Sequence, residues 1–286
     1  MTVMARRPDV GTSARPDLPL ALVVGAGGMG IAVARRLGQR FRLLLADRDI
    51  GHLESSVAAL RREGHDVKGA ACDVTDPAAV KSLADCASQL GPLRALAHVV
   101  GLSPSMGDWR AVMGVNLVGA TLIANAMLPL SSRGTAAVFV ASLAGHRPDP
   151  SERIVALLDR PLEPDFLAVL EAALTEPATS ALAYQYSKWA LIRMCQRLAS
   201  AWGARGARIV SLSPGLIATP MGALEFERQP MKYDLLAKTP IQREGTMPEI
   251  ADAVEFLCSE RASFITGTDL LVDGGIAAAL RHAPGF

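Results

Sequence analysis

Tyr184 and Lys188 stand four residues apart in the run Ala183-Tyr-Gln-Tyr-Ser-Lys-Trp189. If that run is helical, positions i and i+4 share one face, and the lysine ammonium lies beside the phenol. A free tyrosine titrates near pKa ~10, too high to exchange protons readily at neutral pH. A neighbouring cation favours the phenolate and moves the group toward the operating range. Such a pair is suited to taking a proton from an alcohol or giving one to a carbonyl. The spacing alone is a weak signal, because solvated helix faces also carry it, so its meaning depends on the rest of the chain.

A second motif, Gly25-Ala-Gly-Gly-Met-Gly30, has the pattern Gly-x-Gly-x-x-Gly after an apolar run and before an amphipathic one. In a strand-turn-helix setting Gly25, Gly27, Gly28 and Gly30 allow a tight turn around Met29, and the helix N-terminus offers unpaired N–H groups to a pyrophosphate. Asp47 follows at the end of the next apolar run, where a carboxylate holds the hydroxyls of an adenosine ribose and repels a 2′-phosphate. This favours NAD over NADP. Arg48 beside it works the other way, since a guanidinium pairs with phosphate, and Asp47 can also be read as an ordinary turn residue.

Three further polar positions depend on context. Asp73, in Cys72-Asp73-Val74-Thr75-Asp76, is placed to accept a hydrogen bond from an adenine amino group, although Thr75 or Asp76 capping a helix is equally good chemistry. Asn116 sits inside an apolar helical run, where an amide is often a satisfied core group. Ser142, in Val140-Ala-Ser-Leu-Ala-Gly145, would alone read as a turn residue.

The elements that must position these residues alternate. Strands are predicted over Leu20–Val24, Arg42–Ala46, Val67–Ala71, Ala95–Val99, Ala136–Val140, Arg208–Leu212 and Asp269–Val272. Helices are predicted near Met29–Gln39, Ile50–Glu63, Pro77–Gln89, Trp109–Leu128, Ala183–Trp202 and Pro248–Cys258. Repeated β-α alternation implies an α/β fold: a doubly wound parallel sheet of about seven strands, with right-handed crossovers and helices on both faces. Between Ser142 and Tyr184 a segment at about residues 146–182 interrupts this order. Its two helix-like pieces, Ser151–Asp159 and Asp165–Leu174, begin at candidate capping residues. It reads either as surface decoration or as a lid or interface element.

Composition sets outer bounds. At 286 residues, half of them apolar, the chain can bury one large core, and we expect one domain over 18–286. A formal net charge of +1 gives no reason to expect nucleic acid or an anionic membrane as a partner. The four cysteines are scattered and the five histidines lack ligand spacing, so a reducing cytoplasm is expected and a metal site is not. No apolar run reads as a membrane span, being interrupted by glycine clusters or charges. Residues 1–17, rich in Pro and Arg, are expected to be a disordered tail. Arg6, Arg7 and Arg15 before the apolar stretch from Leu18 have the look of a secretory signal, but that stretch runs straight into the Gly25 turn and reads as a first strand.

The order of the Gly-rich turn, Asp47, Asp73-Val74, Asn116, Ser142, Tyr184-x-x-Ser-Lys188, Pro214-Gly215 and Asp273-Gly-Gly275 resembles the short-chain dehydrogenase/reductase family, over about Leu20 to Gly275. The resemblance implies a Rossmann-like NAD-binding fold and oxidoreductase activity on a secondary alcohol or ketone. It makes Tyr184 the general acid/base, with Lys188 lowering its pKa and binding the nicotinamide ribose. Ser142 would hold the substrate oxygen and Asn116 would anchor a proton-relay water. Asp73, Val74, Gly101, Pro214, Ile217 and Thr219 would contact the cofactor. The insertion, the ending Asp273-Gly-Gly-Ile-Ala-Ala-Ala-Leu-Arg281 and the segment from Leu182 to Gly203 resemble the bacterial 3α-hydroxysteroid dehydrogenase/carbonyl reductase branch, which implies a bulky hydrophobic substrate.

The chain departs from the family in three ways. The Gly-rich turn is one residue shorter than the usual Gly-x-x-x-Gly-x-Gly. The family's Asn-Asn-Ala-Gly appears as His98-Val-Val-Gly101, so only the glycine carries over. The insertion separates Ser142 from Tyr184. An enoyl reductase would place lysine at position 191, which is leucine here, and the longer substrate domain of the epimerase branch is absent. A catalytically silent NAD-sensing or scaffold protein is the alternative from another class; it would have no need of Ser142, Tyr184 and Lys188 together. The family commonly assembles by pairing the Asn116 and Tyr184 helices, so a homodimer or homotetramer is expected, the dimer first. The loop Met221–Arg243, with Met221, Leu224, Phe226, Met231 and Tyr233, offers apolar surface for a substrate.

Overall fold

The computed structural model describes residues 17–219 and 231–282. Most of the predicted tail, and Met221, Leu224 and Phe226 of the apolar loop, lie outside the described residues.

Seven parallel strands form one sheet. They are β1 Leu20–Val24, β2 Arg42–Asp47, β3 Val67–Ala71, β4 Leu93–His98, β5 Ala136–Val140, β6 Arg208–Pro214 and β9 Asp269–Val272. Strand β1 is buried at every position because helices cover both of its faces, which is why it reads as a continuous apolar run. On one face α1 (Gly28–Leu37), α2 (Ile50–Arg62) and the helix Met247–Cys258 bury Val33, Leu37, Leu53, Val254 and Leu257 against the sheet. The other face carries α3 (Pro77–Leu90), a long segment from Trp109, and α8 (Ser180–Gly203). In the order β3-β2-β1-β4-β5-β6-β9 the strands are added outward from β1 in one direction and then from β4 in the other, and this switch between β1 and β4 leaves a crevice at the C-terminal ends of the strands. The Gly-rich turn, Asp47, Asp73, Ser142 and Pro214-Gly215 sit at or just beyond those ends, whereas Asn116 and the Tyr184–Lys188 pair come from helices.

Three expectations need correction. Strand β4 begins two residues earlier than predicted, at Leu93, and ends at His98 rather than Val99. The helix predicted over Trp109–Leu128 is not continuous: α4 (Trp109–Met113) passes into a π-helical turn, Gly114–Gly119, before α5 (Ala120–Met127). A π turn inserts one residue into the helical repeat and frees backbone groups locally, and apolar periodicity alone does not reveal it. The stretch Trp109–Leu130 is also long and apolar enough to cross a membrane by composition, contrary to the sequence reading. Its apolar side chains, among them Val112, Met113, Leu117, Ile123 and Met127, are instead buried in the protein core.

The insertion forms α6 (Glu152–Leu158) and α7 (Phe166–Ala173). Ile154, Leu158, Phe166 and Leu170 are buried against Trp109, Val112, Met113 and Leu117 of the neighbouring helix and Ala183 and Ala190 of α8. Each such side chain contributes ~1.5–3 kcal/mol when fully buried, enough to hold two helices too short to persist alone. The capping expectation fails: neither Ser151 nor Asp165 makes a side-chain cap bond. Asp165 has a left-handed backbone, φ 57°, whereas a capping side chain normally acts from an extended one. Asp159 anchors the insertion instead, accepting bonds from Arg193 at 2.8 and 3.0 Å.

Candidate active site

The cleft at the strand ends has a volume of about 530 Å³. Its walls include Gly25, Gly27, Gly28, Met29, Gly30, Asp47, Asp73, Val74, Gly101, Ser142, Tyr184, Lys188, Pro214, Ile217 and Thr219. The fold therefore gathers in one place residues that the chain scatters. Asn116 is the predicted residue absent from the wall.

At the nucleotide end the turn is made of backbone. Gly25 has φ 106°, and a Cβ there would lie 3.0 Å from Val100 N. At Gly30 a Cβ would fall 1.8 Å from the Gly25 carbonyl oxygen, so α1 packs onto the turn only because residue 30 has no side chain. Helix α1 starts at Gly28 with Gly27 as its N-cap, and its first N–H groups have no partner within the helix. This arrangement fits a diphosphate. The shortened turn is braced from the second β-α unit: Ala26 N donates to Asp47 Oδ2 at 2.7 Å, and Ala26 O lies 2.8 Å from His52 Nε2. Asp47 Oδ1 accepts from Asp49 N at 3.0 Å. Asp47 thus supports the turn as well as facing the cleft, and Arg48 lines the same wall.

Asp73 also lines the cleft, but one oxygen is committed. Oδ1 accepts from the Thr75 hydroxyl and amide, which hold the carboxyl below its ordinary range. Of the two capping candidates beside it, Asp76 caps α3 by accepting from Ala78 N. Val74 meets the π turn, where a Cβ on Gly119 would lie 2.6 Å from its Cγ2.

At the other end the groups are side chains, buried for Lys188 and Asn116 and half-buried for Tyr184 and Ser142. Tyr184 and Lys188 both lie on α8, and Lys188 Nζ is 5.9 Å from the centre of the Tyr184 ring. Nζ donates to Val140 O at 2.9 Å. Burial pushes the ammonium pKa down to about 8. Gly101 leaves room for it, since a Cβ there would stand 3.2 Å from Nζ and 3.4 Å from Asn116 Oδ1. Asn116, fully buried within the π turn, accepts from Leu102 N at 2.7 Å and donates to Leu102 O at 3.0 Å and to Ser187 Oγ at 3.3 Å. Its side chain ties the segment after β4 to α8.

Ser142 opens a 3-10 turn, Leu143–His146, directly after β5, and its Oγ accepts from Ala144 N at 3.2 Å. No residue of the insertion lines the cleft, so the lid reading is not supported; Phe166 and Leu170 of its apolar stripe are buried on α4 and α8, while Val169 is exposed. The Pro214–Thr219 wall is held by a short parallel pair, β7 (Ile217–Ala218) with β8 (Gly245–Thr246), which the sequence reading did not foresee. Pro214-Gly215 and Asp273-Gly-Gly275 prove to be packed together, because a Cβ on Gly215 would lie 2.7 Å from Asp273 Cα.

Several wall residues were missed, including Val99, Leu102, Ser103, Met106, Leu216 and Lys232. Apolar residues just past strand ends leave no mark that separates a wall from a core. His98 was noted only as a departure. It is completely buried, stacked on Phe139 with centroids 5.3 Å apart, and neither ring nitrogen has a hydrogen-bond partner among the described residues. Burial, and then the Lys188 charge, push its pKa down to about 3.

Comparison with known proteins agrees with this geometry. Residues 19–154 match the family model described as short chain dehydrogenase, and residues 167–277 match one described as Enoyl-(Acyl carrier protein) reductase. The chain is 33% identical to short-chain dehydrogenase/reductase bsc3 of Alternaria brassicicola, over 91% of this chain and 96% of that protein. It is 31% identical to galactitol 2-dehydrogenase (L-tagatose-forming) of Cereibacter sphaeroides, over 93% and 98%. Among solved structures, actinorhodin polyketide ketoreductase with NADPH has a TM-score of 0.74 at 24% identity, covering 92% of this chain and 99% of that one, a likeness of fold. A putative short-chain dehydrogenase/reductase from Burkholderia xenovorans has a TM-score of 0.71 at 29% identity, covering 91% and 96%. With the strand-end cleft, the Gly-rich turn and the Tyr184–Lys188 pair all in place, this chain belongs to the short-chain dehydrogenase/reductase family, oxidoreductases that act on alcohols and ketones.

Proposed function

We propose that the protein transfers hydride between NAD(H) and a hydrophobic secondary alcohol or ketone, of hydroxysteroid size or similar. The observation that carries this reading is Lys188, buried beneath the cleft with Tyr184 beside it and Ser142 on the same wall. The nicotinamide, when bound, supplies the hydride donor or acceptor. In our reading the chain does the rest. Gly25 to Gly30 and the start of α1 hold the diphosphate, and Asp47 takes the ribose hydroxyls. Asp73 and Val74 flank the adenine, while Gly101, Pro214, Ile217 and Thr219 flank the nicotinamide end.

In the oxidation direction Tyr184 Oη accepts the hydroxyl proton, and in reduction it returns the proton to the carbonyl oxygen. Lys188 favours the phenolate, as a nearby cation does most strongly where water is excluded. Ser142 donates to the substrate oxygen as charge develops on it. Asn116 maintains the segment along which the proton leaves toward water.

NAD is preferred in this reading because the Asp47 carboxylate faces the cleft, and charge repulsion disfavours a 2′-phosphate there. Leucine at position 191 is fully buried in the core, which disfavours the enoyl-reductase arrangement. We assign residues 18–286 to one cofactor-binding domain, cytoplasmic, working as a homo-oligomer. A dimer is favoured, since α6 and α7 cover the outer face of α4 and α8; a monomer by light scattering would overturn that assignment.

The function is tested by measuring kcat/KM with NAD and NADP against a panel of hydroxysteroids, bulky aromatic alcohols and polyols. Polyols are included because relatives are named galactitol and D-threitol dehydrogenases. Turnover of bulky alcohols with NAD supports the reading. Turnover of polyols alone would overturn the substrate class, and no turnover with either cofactor would return the silent binding protein.

A further inference from the structure

His146 closes the 3-10 turn that Ser142 opens, and its ring crosses to strands far away in the chain. Nε2 lies 2.9 Å from Asp269 Oδ2 on β9 and 3.3 Å from Ser213 Oγ on β6. The Asp269 side chain is only 6% exposed and Ser213 is fully buried. A Ser-His-Asp set invites a hydrolase reading, but the geometry denies it. An ionised carboxylate only accepts, so Nε2 carries the proton, and the same nitrogen faces both partners and has no lone pair left to activate Ser213.

The other side of the turn is fixed by contact. A Cβ on Gly145 would lie 2.8 Å from the Lys188 carbonyl carbon, so the turn sits directly on α8. The insertion begins immediately after His146. Without an anchor there, motion of the following segment would pass straight into the turn that bears Ser142. The anchor is also kept at a cost, since Asp269 Oδ1 and the paired Ser211 Oγ are buried with no hydrogen-bond partner among the described residues.

We infer that His146 is a positioning residue: held by Asp269 and Ser213, it fixes the end of the Ser142 turn against α8 and isolates it from the insertion. This inference rests on the role of Ser142 proposed above. The Asp269–His146 link spans 123 residues of sequence.

The test is a double-mutant cycle in the full-length protein. His146→Ala is expected to lower kcat ~10–100-fold, the cost of a misplaced catalytic group, while the Kd for NAD stays within about twofold. In a Ser142→Ala background the same substitution should cost nothing further, because its effect runs through Ser142. His146→Gln, whose amide N–H can still donate to Asp269, should recover most of the loss. Equal losses in both backgrounds would overturn the inference, as would no loss in either. A second readout does not need turnover: amide exchange over residues 142–147 should accelerate in His146→Ala and in Asp269→Ala. If the wild type turns over nothing, the proposed function fails, and exchange still decides the anchor: unchanged exchange in both variants removes it.

Discussion

The two ends of the cleft are built differently. The nucleotide end is mostly backbone: a turn that exists because Gly25 and Gly30 lack side chains, braced through Ala26 by Asp47 and His52 near the surface. The Tyr184 end is a set of polar side chains, with Lys188, Asn116 and His98 all almost or wholly removed from solvent and Tyr184 and Ser142 half-buried. A backbone site binds what its shape admits, and changes in the side chains around it alter selectivity. A buried side-chain site holds its groups at shifted protonation, and changes there alter rate and stability together.

The largest expected effect is at Tyr184. Tyr184→Phe removes only the hydroxyl that we propose moves the proton, so kcat should fall at least ~10²–10⁴-fold while NAD binding, measured by titration, stays nearly intact. Loss of both together would erase the distinction between the two ends.

The next effect is on acid stability. His98 has a folded-state pKa of about 3 against an ordinary value of 6.5. The unfolded chain therefore takes up a proton that the folded protein refuses. Stability is fully present above pH 6.5 and is lost as pH falls toward 3, by up to ~1.4 kcal/mol per pH unit. Denaturant titrations of wild type and His98→Asn across that window should converge as pH falls. Parallel curves would mean that the buried imidazole is not the liability described.

The smallest effect belongs to the nucleotide end. Wild-type protein should prefer NAD over NADP by about tenfold or more in kcat/KM, equivalent to ~1.4 kcal/mol. Asp47→Ala should narrow that preference. Because Asp47 also braces Ala26, the variant should weaken NAD itself. A variant that gains NADP without losing NAD would show that the brace and the selectivity are separate.

Much of this was legible in the chain because it is local. Strand and helix alternation follows from apolar period, and it placed the seven strands of the sheet to within about two residues. The glycines of the turn announce themselves because few other residues could stand there, and Tyr184 and Lys188 share a helix face at any fixed i, i+4 spacing. What failed has the opposite character. The π turn at Gly114–Gly119 changes the helical repeat by one residue without changing composition. Asp165 has a capping residue's chemistry, but it stands between α6 and α7 with a left-handed backbone, which residue type does not reveal.

The sequence by itself determined the fold class, the Gly-rich turn and the Tyr184–Lys188 pair. Local sterics and side-chain period carry those, and neighbours in the chain are enough to enforce them. Tertiary structure alone decided that Lys188 is buried and titrates near 8, that His98 stays neutral behind it, and that the insertion covers α4 and α8 instead of the cleft. It alone brought Asp269 to His146. Burial, desolvation and contact between distant segments exist only once the sheet has assembled, so a linear pattern holds no record of them.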